Sequence, residues 1–146
     1  MRTSQSGFDL IEEFEGFSEE AYPDPGSGST PWTIGYGHTR GVKEGDTCTK
    51  EQASGWLIED CMDAEQTIRE FVEVDINQNQ FDALVSFIFN VGEGNFRAST
   101  LLKLLNDCKF EAAANQFGRW SKASGHVMAG LARRRDAEAR LFLGDV

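Results

Sequence analysis

The sequence predicts a mixed α+β fold: a small, sheet-containing lobe near the front of the chain and a larger helical lobe behind it. Three observations predict it. Five turn-forming residues (Pro23, Pro25, Gly26, Gly28 and Pro31) lead into "WTIGYGHT" at 32–39, where bulky and small residues alternate as in an extended chain. Apolar residues at helical spacing, bounded by capping residues, recur from position 49 to the end. The 146 residues suit one domain, and neither an internal repeat nor a low-complexity tract interrupts them.

The elements are expected in this order. Residues 8, 10, 11, 14 and 17 are apolar, so an amphipathic helix is expected over 7–16, with Ser6 as its N-cap and Gly16 as its end. In "WTIGYGHT", Trp32, Ile34 and Tyr36 share one face of a strand, and Thr33, Gly35 and Gly37 share a nearly bare one. This small lobe is expected over about 17–48. Thr49 and Gln52 form a capping box that opens a long connecting helix, about 49–72. Asn77 and Gln80 repeat the device at the head of "NQNQFDALVSFIFNVG", which Gly92 closes. "STLLKLLN", "FEAAANQFGRW" and "AGLARRRDAEARLFLG" supply three more helices, the last ended by Gly144. The helical lobe is therefore expected over about 73–146, joined by the N-terminal helix, with a ligand cleft between the lobes.

Composition narrows the function classes. Hydrophobic residues at 40% with 11 Phe argue for a packed core and against disorder. The longest nearly apolar stretch, "ALVSFIFNV" at 83–91, is far short of the roughly 20 residues that span a bilayer, so no stable membrane insertion is expected. The N-terminus carries acids where a secretory signal has its apolar region, so synthesis in the cytoplasm is expected. Cys48, Cys61 and Cys108 are too scattered for a disulfide framework or a zinc site and are expected to be buried thiols; no metal and no cofactor is expected. Residues 1–96 hold 5 Lys and Arg against 19 Asp and Glu, a net of −14, whereas 97–146 hold 9 against 5, a net of +4. Only the C-terminal third is suited to facing an anion, and without a basic stripe interleaved with aromatics no nucleic-acid partner is expected.

Two carboxylates stand in contrasting settings. Glu15 falls at the negative end of the first helix between Phe14 and Phe17, where a charged carboxylate is disfavoured and an acid form favoured. Asp24 falls in an exposed turn between two prolines. A protonated and an ionised carboxyl are the pair that hydrolyses glycosidic bonds, one protonating the leaving oxygen and the other orienting water or attacking the sugar. Thr33 is placed to help hold a water. From the residues alone, a solvated surface Glu15, a turn-stabilising Asp24 and a Thr33 that merely favours the strand remain open readings.

At "FEGF", "AYPDPG" and "WTIGYGHT" the sequence resembles the phage-type lysozymes (endolysins, glycoside hydrolase family 24), which cleave bacterial peptidoglycan. The resemblance continues through "CTKEQA", "NQNQFDALVSFIFNVG", "STLLKLLN", "GRW" and "GLARRRDAEARLFLG", covering nearly the whole chain. It implies a lysozyme-like fold and an inverting muramidase that needs no cofactor. Glu15 is implied as proton donor, Asp24 as the group that orients water, and Thr33 as its assistant. Asn90 is implied as a contact to the sugar or its stem peptide, with Gly35, Gly37, Phe89 and Trp120 bordering the substrate. Arg133 is implied to support Glu15, and His38 to pair structurally with Asp60. The implied partners are peptidoglycan and a holin that releases a monomeric enzyme to the wall. Two departures stand out: "GSGSTP" lengthens the turn between Asp24 and Thr33, and the chain is acidic although its expected substrate is anionic. A sugar-binding protein without activity and a lytic transglycosylase are the competing readings.

Overall fold

A computed structural model describes residues 1–25, 27–123 and 125–144. The backbone forms α1 (Gln5–Glu15), β1 (Ser18–Tyr22), β2 (Thr33–Gly35), α2 (Lys50–Phe71), α3 (Gln78–Val91), α4 (Glu93–Arg97), α5 (Thr100–Asn106), α6 (Phe110–Gln116), a 3-10 turn (Phe117–Trp120), β3 (Lys122–Ala123), β4 (His126–Val127) and α7 (Ala129–Leu143). It divides into two compact units, Ile11–Asp60 and Met1–Leu10 with Cys61–Val146. The divisions fall inside α1 and α2, so each of these helices contributes to both units.

The smaller unit is built around the β1–β2 ladder. The strands run antiparallel with Ser18 opposite Gly35 and Tyr22 opposite Thr33, and the register shifts between those pairs. Beneath the ladder Ile34, Cys48 and Ala53 form a buried cluster, packed by Phe17, Ala21, Tyr36, Val42 and Trp56. Burial pushes the Cys48 thiol up, in keeping with a packing role. α2 opens with the expected reciprocal cap: the Gln52 amide donates to Thr49 Oγ1 at 3.2 Å and the Thr49 amide donates to Gln52 Oε1 at 2.9 Å.

Three expectations about this unit need correction. α1 starts at Gln5, so Ser6 lies inside the helix rather than capping it; the Phe8 amide bonds the Ser4 carbonyl at 3.1 Å, while the Ser4 hydroxyl bonds the Asp82 carboxylate. The strand expected to run through 39 ends at Gly35, because Ile34 and His38 exchange both backbone hydrogen bonds at 2.9 Å around a tight turn that includes Gly35 (φ 64°) and Gly37 (φ 80°). Gly35 therefore does not leave a bare face for a sugar. A Cβ there would lie 2.8 Å from the Ala53 Cβ, so its missing side chain is what lets α2 pack against the ladder. Gly35→Ala adds both that clash and a strained left-handed backbone, and is expected to cost about 1–3 kcal/mol. Thermal denaturation checks this: adding Ala53→Gly should recover only part of the lost Tm, because the backbone strain remains.

The larger unit packs α3 against α7 and the 3-10 turn. The Asn77–Gln80 capping box is present, with the Gln80 amide donating to Asn77 Oδ1 at 2.8 Å and the Asn77 amide donating to Gln80 Oε1 at 2.9 Å. Phe87 is the hub of the core: Phe96, Phe117 and Trp120 meet it edge-on and the Arg135 guanidinium lies over its ring. Each fully buried Phe or Leu contributes about 1.5–3 kcal/mol here. α7 lays a buried ionic cluster against α3. Glu138 lies 2.7 Å from Arg135 Nε and 3.3 Å from Arg134 Nε, accepts from the Ser86 hydroxyl at 2.5 Å, and Arg134 also donates to the Ser86 carbonyl at 3.1 Å. Burial pushes the Glu138 carboxyl up, while the two guanidiniums and the Ser86 hydroxyl pull it back. Gly144, at φ 80°, closes α7 as expected.

The thiols also differ from expectation. Cys48 and Cys61 are buried, but Cys108 is exposed at the end of α5, where its left-handed backbone (φ 60°) reverses the chain toward α6. The sequence reading also missed α4 and the β3–β4 hairpin. Among the described residues no helix is long and apolar enough to cross a membrane.

Candidate active site

Glu15 is the last residue of α1. The Gly16 amide closes the helix on the Glu12 carbonyl at 3.0 Å, and its φ of 71° turns the chain at once into Phe17 and β1. Phe17 rests on Tyr36, ring centroids 5.6 Å apart, which anchors this corner. The helix end and the start of β1 are thus joined by two residues, and Glu15 stands beside the strand it feeds.

The far end of β1 carries Tyr22, and two residues beyond it comes Asp24. The Asp24 amide donates to the Ser29 carbonyl at 2.9 Å, the Gly28 amide donates to the Asp24 carbonyl at 2.7 Å, and the Ser27 amide donates to Asp24 Oδ2 at 3.1 Å. The lengthened "GSGSTP" turn therefore closes on Asp24 and holds it. Its second oxygen, Oδ1, accepts no hydrogen bond among the described residues and is available to water. Thr33 sits directly across the ladder from Tyr22.

Tyr22 is the residue that sequence reasoning missed. Its phenol is held up by partial burial and by the Glu15 carboxylate, so Glu15 lies close enough for its charge to be felt there. Tyr22 is thus paired with Thr33 across the ladder and stands two residues before Asp24 in the chain. A neutral phenol at 40% exposure is a ready hydrogen-bond donor at this point. The signal in "AYPDPG" is only that Tyr22 stands two residues before Asp24; its pairing with Thr33 is set by the ladder.

The remaining candidates fall into two groups. In the smaller unit, His38 Nδ1 lies 2.8 Å from Asp60 Oδ2 and the buried imidazole stacks on Trp56 at 4.6 Å. In the larger unit, Asn90 and Trp120 come together in an open depression of about 390 Å³, also lined by Val91, Asn95, Arg119, Lys122 and Leu131. Trp120 both packs edge-on against Phe87 and lines the depression. Phe89 is half-buried and does not line it, and Arg133 is exposed on α7.

A short helix ending in a carboxylate, a small antiparallel ladder, and a helical unit built on a central buried helix define a lysozyme-like α+β fold. The Phage lysozyme family profile matches residues 12–138, and the chain belongs to that family. It is 42% identical over 148 residues to the endolysin of Salmonella phage P22, covering 98% of this chain and 99% of that relative. It is likewise 42% identical over 144 residues to the endolysin of Bacillus phage B103, of which it spans only 54%. Among solved structures, the muramidase domain of SpmX from Asticaccaulis excentricus superposes with a TM-score of 0.91 at 38% identity, covering 97% of both chains.

Proposed function

We infer that this chain is a muramidase that hydrolyses the β-1,4 bond between N-acetylmuramic acid and N-acetylglucosamine in bacterial peptidoglycan, and so lyses the cell. The observation that supports this reading is membership of the phage lysozyme family in a chain that carries Glu15 at the end of α1 and Asp24 in a turn closed by Ser27, Gly28 and Ser29. Glu15 delivers its proton to the glycosidic oxygen as the bond to the muramic acid C1 breaks, and N-acetylglucosamine leaves with a free O4. Water held between Asp24 Oδ1 and the Thr33 hydroxyl attacks C1 from the opposite face and passes its proton to Asp24. Bond made and bond broken lie on opposite faces, so the configuration at C1 inverts, a chemistry that needs the two carboxyl groups about 6.5–9.5 Å apart with water between them. The engagement of Asp24 Oδ2 by the Ser27 amide supports this assignment, because it fixes the carboxylate and leaves one oxygen to take the proton.

Turbidity of purified sacculi tests the reading. The unmutated chain clears them, and Asp24→Asn is expected to slow clearing by about 10²–10⁴-fold, the usual weight of a general base. Masses of the released fragments should show hydrated reducing ends. Anhydro-muramic ends would instead identify a transglycosylase, which has no need of Asp24. The same reading carries a monomer that is made in the cytoplasm of the host and reaches the wall through a holin; expression with and without a holin gene reads this out as lysis in the first case only.

A further inference from the structure

The connection between Asp24 and Thr33 has no core to set its shape. From Ser27 to Pro31 every residue is exposed, and Gly28 takes a left-handed backbone (φ 69°). Such a segment is fixed by its own polar groups, against an ordering cost of about 1–2 kcal/mol per residue. Ser27 is where those groups meet. Its amide donates to Asp24 Oδ2 at 3.1 Å, its hydroxyl donates to the Thr30 carbonyl at 3.3 Å, and the same hydroxyl accepts from the Ser29 amide at 3.3 Å. Two backbone bonds flank it, from the Gly28 amide to the Asp24 carbonyl at 2.7 Å and from the Asp24 amide to the Ser29 carbonyl at 2.9 Å. Ser27 is therefore bonded on one side to the Asp24 carboxylate and on the other to Thr30, three positions before Thr33. Thr33 is held in turn by its pairing with Tyr22, two positions before Asp24. The constraints close a ring that runs through Tyr22, Asp24, Ser27, Thr30 and Thr33.

Resting on the reading of Asp24 and Thr33 as the pair that holds the hydrolytic water, we infer that Ser27 is a positioning residue for that water. Its amide commits Oδ2 of Asp24 to the turn, which leaves Oδ1 for the water, and its hydroxyl ties the turn to the strand that carries Thr33. The lengthened connection thereby keeps one spacing between the two groups instead of a range of them. Any residue but proline supplies the amide, whereas only a side chain that donates and accepts through one oxygen can bond Thr30 and Ser29 together. The two hydroxyl bonds are long and each is weak, so what they contribute is geometry rather than stability. Misplacing a reacting group by about 1 Å costs up to about 10²-fold in rate, so a loosened turn shows in catalysis before it shows in folding.

A double-mutant cycle on soluble peptidoglycan fragments tests this. Ser27→Ala, which keeps the amide and deletes the hydroxyl, is expected to lower kcat about three- to tenfold with KM and Tm nearly unchanged, the upper limit being the worth of one hydrogen bond. Ser27→Thr, which keeps the hydroxyl, is expected to recover most of that rate. In the Asp24→Asn background the same Ser27→Ala change is expected to cost nothing further, because a residue that acts through the Asp24 carboxylate then has nothing left to position. A kcat unaltered by Ser27→Ala, a loss confined to KM, or the same fold loss with and without the Asp24 carboxylate overturns the inference. The reading beneath it fails separately: an Asp24→Asn chain as fast as its parent means that Asp24 is not the base, whereas a slow Asp24→Asn chain beside an unimpaired Ser27→Ala chain leaves Asp24 in place and removes only Ser27.

Discussion

Glu15→Gln is expected to lower the rate of wall hydrolysis by about 10²–10⁴-fold while leaving binding to sacculi and thermal stability nearly unchanged. The substitution keeps the shape and hydrogen-bonding capacity of the side chain but removes the proton that the leaving oxygen needs. Glu15 ends its helix at a half-buried position, and Gln keeps the volume of the side chain there. Burial and the Glu15 carboxylate raise the pKa of the Tyr22 phenol, which belongs to the residue paired with Thr33 and two positions before Asp24. Tyr22→Phe removes only a phenol hydrogen bond and should cost far less than the acid itself, about tenfold at most. If Glu15→Gln and the unmutated chain clear sacculi at one rate, the acid has been misassigned.

The second large effect is structural. Glu138→Ala is expected to destabilise the protein by about 3–5 kcal/mol, because it removes from the interior the buried carboxylate that both guanidiniums contact. Arg134 and Arg135 are 4% and 0% exposed, and Glu138 itself is fully buried. For a chain of this length that corresponds to a fall in Tm of roughly 10–20 °C. Ser86→Ala, which deletes one hydroxyl from the same cluster, should cost about 1–2 kcal/mol. Differential scanning calorimetry of both variants decides it; a Glu138→Ala chain as stable as its parent would mean that the arginines find water when the carboxylate is gone.

The parts of the fold that were legible in the sequence are those written in local chemistry. α2 and α3 declare themselves through Thr49 with Gln52 and Asn77 with Gln80, because a capping box lies within four residues and needs no tertiary partner. α1 was misplaced at its start for the complementary reason: Ser4 spends its hydroxyl on Asp82, 78 residues away, a partner that no local pattern announces. Gly35 misled because an absent side chain reads the same whether ligand or backbone fills the space, and only the position of Ala53 distinguishes them. The hairpin at 122–127 was invisible since two-residue strands carry no period to detect.

The site shows the same division. The placement of Glu15 at a helix end and of Asp24 in a proline-flanked turn could be read from position, their roles came only from resemblance, and the pairing of Tyr22 with Thr33 depends on a ladder whose register shifts between Ser18 and Tyr22. The partners of Asp24 were likewise hidden. Nothing in the lengthened turn announces that Ser27, Gly28 and Ser29 fold back and bind it. Asn90 and Trp120 were individually legible from resemblance, and their meeting place beside Arg119 and Lys122 was not, since it depends on how α3 and the 3-10 turn pack.

Digestion of purified peptidoglycan in heavy-oxygen water, with the reducing ends followed by NMR and mass spectrometry from the first minutes, tests the central claim most directly. A water held by Asp24 and Thr33 opposite an acid at Glu15 predicts one heavy oxygen at C1 of each new muramic acid end and the α anomer formed first. Unlabelled anhydro ends, or a β anomer formed first, would contradict the assignment of Asp24 and Thr33 to that water.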